Sequence, residues 1–109
     1  MLTNYTLSYH ARVERANRIT AILTYVGLGQ PIFSGVDALH KNSVFHITNT
    51  GVIVVVDEKT KTIITMYLLT LEKLYALFRR QGYDHVGYNL DEVVKKNQIR
   101  YKWILKIKE

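Results

Sequence analysis

The chain has 109 residues, is 48% hydrophobic and carries a net charge of +6 from 15 Lys and Arg against nine Asp and Glu. This length suits one packed core, so we expect residues 1–109 to form a single domain. The absence of cysteine excludes disulfides and thiolate metal sites. The first residues lack the features of a signal peptide, and the longest apolar run, 52–56, is too short to span a membrane. We therefore expect a cytoplasmic protein without membrane contact, and the positive charge favours RNA or another nucleic acid as partner.

The first predicted element is a helix that begins after Ser8, which can act as its N-cap. Apolar residues then recur at helical spacing up to Gly27: Ala11, Ala16, Ile19, Ile22, Leu23 and Val26. Thr20 could cap a second short helix, so the pattern predicts either one helix or a helix pair. Residues 30–42 are rich in turn-forming side chains, and we expect them to be irregular.

A three-stranded antiparallel meander is the central prediction for the fold. Its strands are expected at residues 44–48, 52–56 and 62–69. Gly51 ends the first turn, where a left-handed backbone closes a three-residue hairpin. The second turn, 57–61, is polar, and its carboxylates Asp57 and Glu58 are interpreted as solvated. The unbroken β-branched run 52–56 is typical of a central strand covered on both faces.

The C-terminal part is predicted to contain two helices and a terminal strand, which makes the fold class α+β. One helix runs from Thr70 to Gln81 with Gly82 as its stop, and Asn89 begins a capping box for a short second helix through Lys96. The tail alternates apolar with basic residues, which indicates a strand. The alternative is a helix with Ile99, Trp103 and Ile107 on one face, which leaves the tighter alternation unused. Such a strand would place four cations on one face as a nucleic-acid contact: Arg100, Lys102, Lys106 and Lys108.

His10 is the first candidate for chemistry, because Glu14 and Asn17 share its face of the predicted helix. A histidine oriented by a carboxylate can transfer a proton during RNA cleavage, while arginine stabilises the charged phosphorane. Arg12 and Arg15 lie close along the chain as candidate nucleic-acid contacts. This chemistry needs no metal, and no pair of histidines has zinc-site spacing, so we expect no cofactor. The alternative is that His10 and Glu14 form a solvated surface pair.

His46 is the second candidate. Strand alternation places it on the face opposite Phe45 and Ile47. If those two residues face the core, His46 faces outward, either towards a substrate groove or simply towards solvent.

Several short motifs resemble the RelE/ParE–barnase–EndoU–colicin superfamily of small toxin nucleases, in particular its uncharacterised bacterial and phage members. They cover roughly the first 70 residues and comprise His10-Ala11, Arg18-Ile19-Thr20, residues 51–56 and residues 63–67. The resemblance implies that His10 is the acid/base and Arg18 a phosphate contact. It also implies that Thr65 and Tyr67 are polar groups on the sheet facing the substrate. Apart from the resemblance, His46 near His10 would supply the second histidine that acid/base cleavage of RNA can use. The family pattern tends to place Arg four residues after the His, where this chain has Glu14.

The leading prediction is therefore a toxin-like domain that acts on RNA as a metal-independent ribonuclease, with an antitoxin or another acidic protein as a further candidate partner. The alternative is a non-catalytic accessory or inhibitor protein of phage origin that binds nucleic acid or an acidic protein through the four C-terminal cations. A third interpretation is a homo-oligomer in which the terminal strand pairs between chains.

Overall fold

The computed structural model describes residues 4–36, 42–81 and 90–108 and shows an α+β protein. Its strands are β1 Thr6–Leu7, β2 Pro31–Val36, β3 Ser43–Thr48, β4 Val52–Asp57 and β5 Thr62–Leu68. Its helical elements are a π-helical turn His10–Glu14, α1 Ala16–Ala21, a second π-helical turn Ile22–Val26, α2 Leu71–Gln81, α3 Leu90–Arg100 and α4 Lys102–Leu105. In these ranges no helix is long and apolar enough to cross a membrane.

The predicted three-stranded antiparallel sheet is wrong, because the sheet has five strands in the order β1-β5-β4-β3-β2. The three consecutive strands β3, β4 and β5 form its antiparallel centre. β2 extends the sheet antiparallel to β3, and β1 pairs parallel to β5, which makes the sheet mixed. β1 has only two residues, too few for its alternation to be visible in the sequence.

β2 lies in a stretch predicted to be irregular, and its turn-type residues have specific places in the strand. Pro31 is the first residue of an edge strand, a position where a missing amide donor is tolerated. Gly35 lies opposite Phe45, and a Cβ at residue 35 would be 2.9 Å from Cζ of that ring. Glycine thus allows the aromatic ring to cross the edge strand. Residues 37–41 lie outside the described residues.

Both faces of the sheet are covered. The N-terminal helical segment, residues 10–26, packs on the face that carries Val52, Val54 and Val56. α2 and α3 pack on the other face, which carries Ile53 and Val55. Because β4 is central and has a layer on each side, all five residues of its β-branched run are buried.

The N-terminal helical segment changes geometry along its length. Ser8 Oγ accepts a hydrogen bond from the Ala11 amide at 3.1 Å where the segment begins. The helix is interrupted at Arg15, which has φ −121° and ψ 22°, rather than near Thr20. The flanking π-helical turns change the helical phase, since each adds a residue to the turn. Leu23, part of the predicted apolar stripe, is consequently exposed.

The predicted terminal strand is wrong, because α3 and α4 occupy that part of the chain. The inward residues follow helical spacing: Leu90, Val94, Asn97, Tyr101 and Ile104. Ile104 is buried, whereas Ile99, assigned to the apolar face of the strand, is 82% exposed. Trp103 and Leu105, which belong to the same alternating set, are exposed as well, so the period-two pattern does not correspond to a buried face. The four cations are therefore exposed on helices and the following residues, not in a row on a strand.

The remaining turn and cap positions agree with the sequence where the structure describes them. Gly51 has φ 81°, which confirms the left-handed residue predicted for the β3–β4 turn. Thr70 Oγ1 accepts a hydrogen bond from the Lys73 amide at 3.2 Å, as expected of a helix cap. Gly82 and Asn89 lie outside the described residues.

Candidate functional site

His46 lies on β3 between Ser34 of β2 and Val54 of β4. It is on the face opposite Phe45, as alternation predicts, but its side chain is only 16% exposed. Ser34 Oγ lies 2.5 Å from Nδ1 of the ring. On the other side of the ring, Glu58 Oε1 lies 3.4 Å from Nε2. The imidazole is thus held between a hydroxyl and a carboxylate, with Ser34 itself exposed on the edge strand.

Glu58 is the anion of this cluster. The Tyr5 hydroxyl donates to both of its carboxylate oxygens at 2.7 Å, and Lys61 Nζ donates at 2.9 Å. These hydrogen bonds, from Tyr5 and then Lys61, lower the pKa of Glu58 from its ordinary value of 4.5 to about 2. Glu58 in turn raises the pKa of Lys61. The pKa of Tyr5 is also raised, first by burial and then by its hydrogen bond to Glu58.

The charge on Glu58 sets the tautomer of neutral His46. A carboxylate only accepts hydrogen bonds, so Nε2 carries the ring proton and points it at Glu58. Nδ1 then holds the lone pair and accepts from the Ser34 hydroxyl. A lone pair facing a hydroxyl, with a carboxylate behind the ring, is the arrangement of a general base.

The sequence did not indicate the partners of His46. Glu58 was interpreted as a solvated turn residue, and Tyr5 and Glu58 are separated by 53 residues. Ser34 belongs to the strand that was predicted to be irregular. The spacing of these residues along the chain does not indicate a cluster, because only the topology of the sheet brings them together.

His10 forms a separate polar site. Its Nδ1 lies 2.7 Å from Oε2 of Glu14, which is the pair that helical spacing predicts. Both side chains are well exposed. Arg15 donates to the Glu14 carbonyl at 3.1 Å, and Arg12 is exposed nearby. Among the described contacts, those of His10 and those of His46 have no residue in common.

Arg18 and Thr65, two of the predicted site residues, do lie together. Arg18 donates from Nε to the Met66 carbonyl at 3.2 Å and from Nη2 to Thr65 Oγ1 at 3.1 Å. β1 pairs with β5 only at Thr62 and Ile63. Arg18 therefore bonds to the part of β5 that extends beyond its pairing with β1. This contact gives Arg18 a structural role at the sheet edge, in addition to the phosphate contact that the resemblance implies.

Tyr67 lies on the opposite face of the sheet from His46. It packs with the cluster beneath α2 and α3. The ammonium of Lys73, on α2, lies 4.5 Å from the centroid of its ring. The five residues predicted to be catalytic therefore do not share one surface.

A cleft of about 380 Å³ lies between α3, the β3–β4 turn and the end of the second π-helical turn. Among the described residues, the cations that line this cleft are Lys96 and Arg100. Lys102, Lys106 and Lys108 are exposed further along the chain.

Within the described ranges, no group of three or more His, Asp or Glu side chains could hold a metal ion. No protein-family model matches the chain, and neither a curated protein nor a solved structure matches it.

Proposed function

We propose that this protein binds RNA and cleaves it without a metal ion, with His46 as the general base. The observation that carries the proposal is the hydrogen-bonded chain from Ser34 through His46 to Glu58. The net charge of +6 supports an anionic substrate. The proposed place of action is the cytoplasm, with which the lack of cysteine is compatible.

The proposed reaction is an internal transesterification. The 2′-hydroxyl of the substrate takes the position that the Ser34 hydroxyl occupies beside Nδ1 of His46. As the 2′-oxygen attacks phosphorus, its proton passes to Nδ1, and the carboxylate of Glu58 stabilises the imidazolium that forms. The bond from phosphorus to the 5′-oxygen breaks, leaving a 2′,3′-cyclic phosphate and a 5′-hydroxyl.

The leaving 5′-oxygen needs a proton, and solvent water is its proposed source; the imidazolium of His46 then returns its own proton to solvent. His10, which the resemblance implies as the acid/base, pairs with Glu14 at a separate polar site, where it is proposed to contact the RNA. Arg12 and Arg15 are the proposed phosphate contacts beside it, as exposed or partly exposed guanidinium groups. The phosphate role that the resemblance gives to Arg18 would use its guanidinium together with Thr65.

The test is incubation of purified protein with end-labelled transfer and messenger RNA in excess EDTA. We expect cleavage that leaves cyclic phosphate ends. His46→Gln should lower the rate by about 100-fold or more, the usual contribution of a positioned base. Glu72→Gln, an exposed change on α2, is the control and should cleave at the wild-type rate.

Ser34→Ala separates catalysis from folding, because it removes an exposed hydroxyl without emptying the core. It should retain cleavage if the substrate hydroxyl replaces that of Ser34. Cleavage by His46→Gln at the wild-type rate, with the fold intact by circular dichroism, would refute the assignment of the base.

A non-catalytic binding protein is the second candidate function, favoured by the exposure of Arg100, Lys102, Lys106 and Lys108. RNA that is retained in the same gel but remains intact would support it, provided that retention weakens steeply with added salt.

A further inference from the structure

The cleft beside α3 combines an apolar wall with a basic rim. Val26, Val93 and Ile99 contribute aliphatic surface, and Lys96 and Arg100 contribute two exposed cations. Ile99 is 82% exposed, the highest fraction among the exposed large hydrophobic side chains of the described residues. The volume of about 380 Å³ lies in the range of sites that hold ligand groups. This surface therefore offers burial to an apolar group and ion pairing to carboxylates beside it.

The uncharged polar side chains that line the cleft each have a hydrogen-bond partner within the protein. Asn97 donates from Nδ2 to the Thr50 carbonyl at 2.6 Å, and Thr50 Oγ1 donates to the Gly27 carbonyl at 2.9 Å. The Tyr101 hydroxyl donates to the Tyr25 carbonyl at 2.8 Å. An occupant of the cleft therefore gains mainly from apolar burial, not from new hydrogen bonds inside it.

These properties distinguish between classes of occupant. A nucleobase placed in the cleft would bury its donors and acceptors against an aliphatic wall, which costs free energy. The guanidinium of Arg100 already lies 5.5 Å from the centroid of the Tyr101 ring, where a base would stack. A second copy of the chain docked through the same patch would bring cations against cations. An acidic peptide with a large apolar side chain has neither disadvantage.

We propose that this cleft binds an acidic, amphipathic peptide segment of a partner protein. An apolar side chain of the peptide packs against Val93 and Ile99, and flanking carboxylates pair with Lys96 and Arg100. The neighbouring edge-to-face pair of Tyr25 and Trp103, with ring centroids 5.2 Å apart, extends the surface with residue types common in interface hot spots. This binding is independent of the proposed RNA cleavage.

The test uses a short synthetic helical peptide with Leu and Phe on one face and Glu on the other. Trp103 is the only tryptophan, so its fluorescence reports binding next to the cleft, and isothermal titration calorimetry gives the affinity. Ile99→Asp should weaken binding at least about tenfold, because it places a carboxylate in the apolar contact. Lys96→Glu combined with Arg100→Glu should weaken it as strongly.

The matched control is Lys59→Glu combined with Arg79→Glu, which makes the same charge change at exposed positions outside the cleft lining. It should alter the affinity by less than about threefold, as expected of distant screened charges. All these substitutions are at exposed positions, so we expect each variant to keep the fold, which circular dichroism checks.

Several outcomes would overturn the proposal: no binding of the peptide, equal binding by the Ile99→Asp variant, or equal binding of a peptide with Gln in place of Glu. A single-stranded oligonucleotide that displaces the peptide from the wild-type protein, and that itself binds more weakly to the cleft variants, would assign the cleft to RNA instead. Dimers that light scattering detects in wild type but not in Ile99→Asp would assign it to a second copy.

Discussion

The side-chain amide of Asn97 donates to the backbone carbonyl of Thr50 at 2.6 Å, across 47 residues of chain. Asn97 is 6% exposed and occupies an inward position of α3. Thr50 lies in the turn that joins β3 to β4. This hydrogen bond fastens the C-terminal helix to the central hairpin of the sheet.

Replacing Asn97 by Leu should lower the free energy of unfolding by about 2 kcal/mol. The variant leaves the partly buried Thr50 carbonyl without this donor, and leaving a buried polar group unpaired costs about 1–3 kcal/mol. Urea denaturation followed by circular dichroism measures it. Asn17→Leu, the same change at an exposed helix position, should stay within about 0.5 kcal/mol of wild type. Equal effects in the two variants would contradict the importance of the bond.

Gly51→Ala should be destabilising by about 2 kcal/mol or more, because Gly51 has φ 81° and cannot host a Cβ without strain. The added Cβ would also lie 2.6 Å from Nδ2 of Asn97. In the Asn97→Ala background that contact disappears, so the cost of Gly51→Ala should be smaller. A double-mutant cycle in urea measures the difference, and strict additivity would show that the two residues do not compete for space.

Arg18→Ala should destabilise the protein by about 2 kcal/mol. It removes the guanidinium that donates a hydrogen bond to the Met66 carbonyl at the edge of β5. Arg18→Lys should recover only part of this loss, since an ammonium cannot reproduce both guanidinium contacts. Thermal unfolding gives the comparison. Arg12→Ala, at an exposed position of the same segment, controls for the loss of charge. A similar loss in both variants would mean that net charge, not the edge contact, is responsible.

Stability should fall as the pH drops from about 4.5 to about 2. The folded-state pKa of Glu58 is lowered to about 2 from its ordinary 4.5, so its contribution is complete above the higher value and disappears as the carboxylate is protonated. Because the side chain is partly exposed, solvent screening limits that contribution to about 1 kcal/mol. Glu58→Gln should flatten the dependence of unfolding free energy on pH in this window. Glu72→Gln should leave it unchanged, and a flattened curve there would point to general charge effects.

The centre of the sheet could be predicted because its signals are local. The β-branched run 52–56 and the glycine that ends the β3–β4 turn each act within a few residues. β1 and β2 could not be predicted in the same way. β1 is too short for a pattern, and the residues of β2 have turn propensities that are overridden by pairing with β3.

The candidate site was predictable only where its members are close in sequence. The pair of His10 and Glu14 follows from one turn of helix. Ser34, His46 and Glu58 come from two strands and a turn, so only the sheet registers bring them together. The terminal strand was wrong for a related reason. The alternating residues Ile99 and Trp103 are exposed, whereas Ile104 is buried by elements that are distant in sequence.

The parallel pairing of β1 with β5 has a consequence for the order of folding. The hydrogen bond from the Ser8 hydroxyl to the Ile64 carbonyl spans 56 residues, whereas β3, β4 and β5 join through short turns. Forming local contacts first avoids the entropy of closing a long loop, so the meander should assemble before the N-terminus docks. During synthesis on the ribosome, β1 emerges before β5 and therefore cannot pair until β5 has been made.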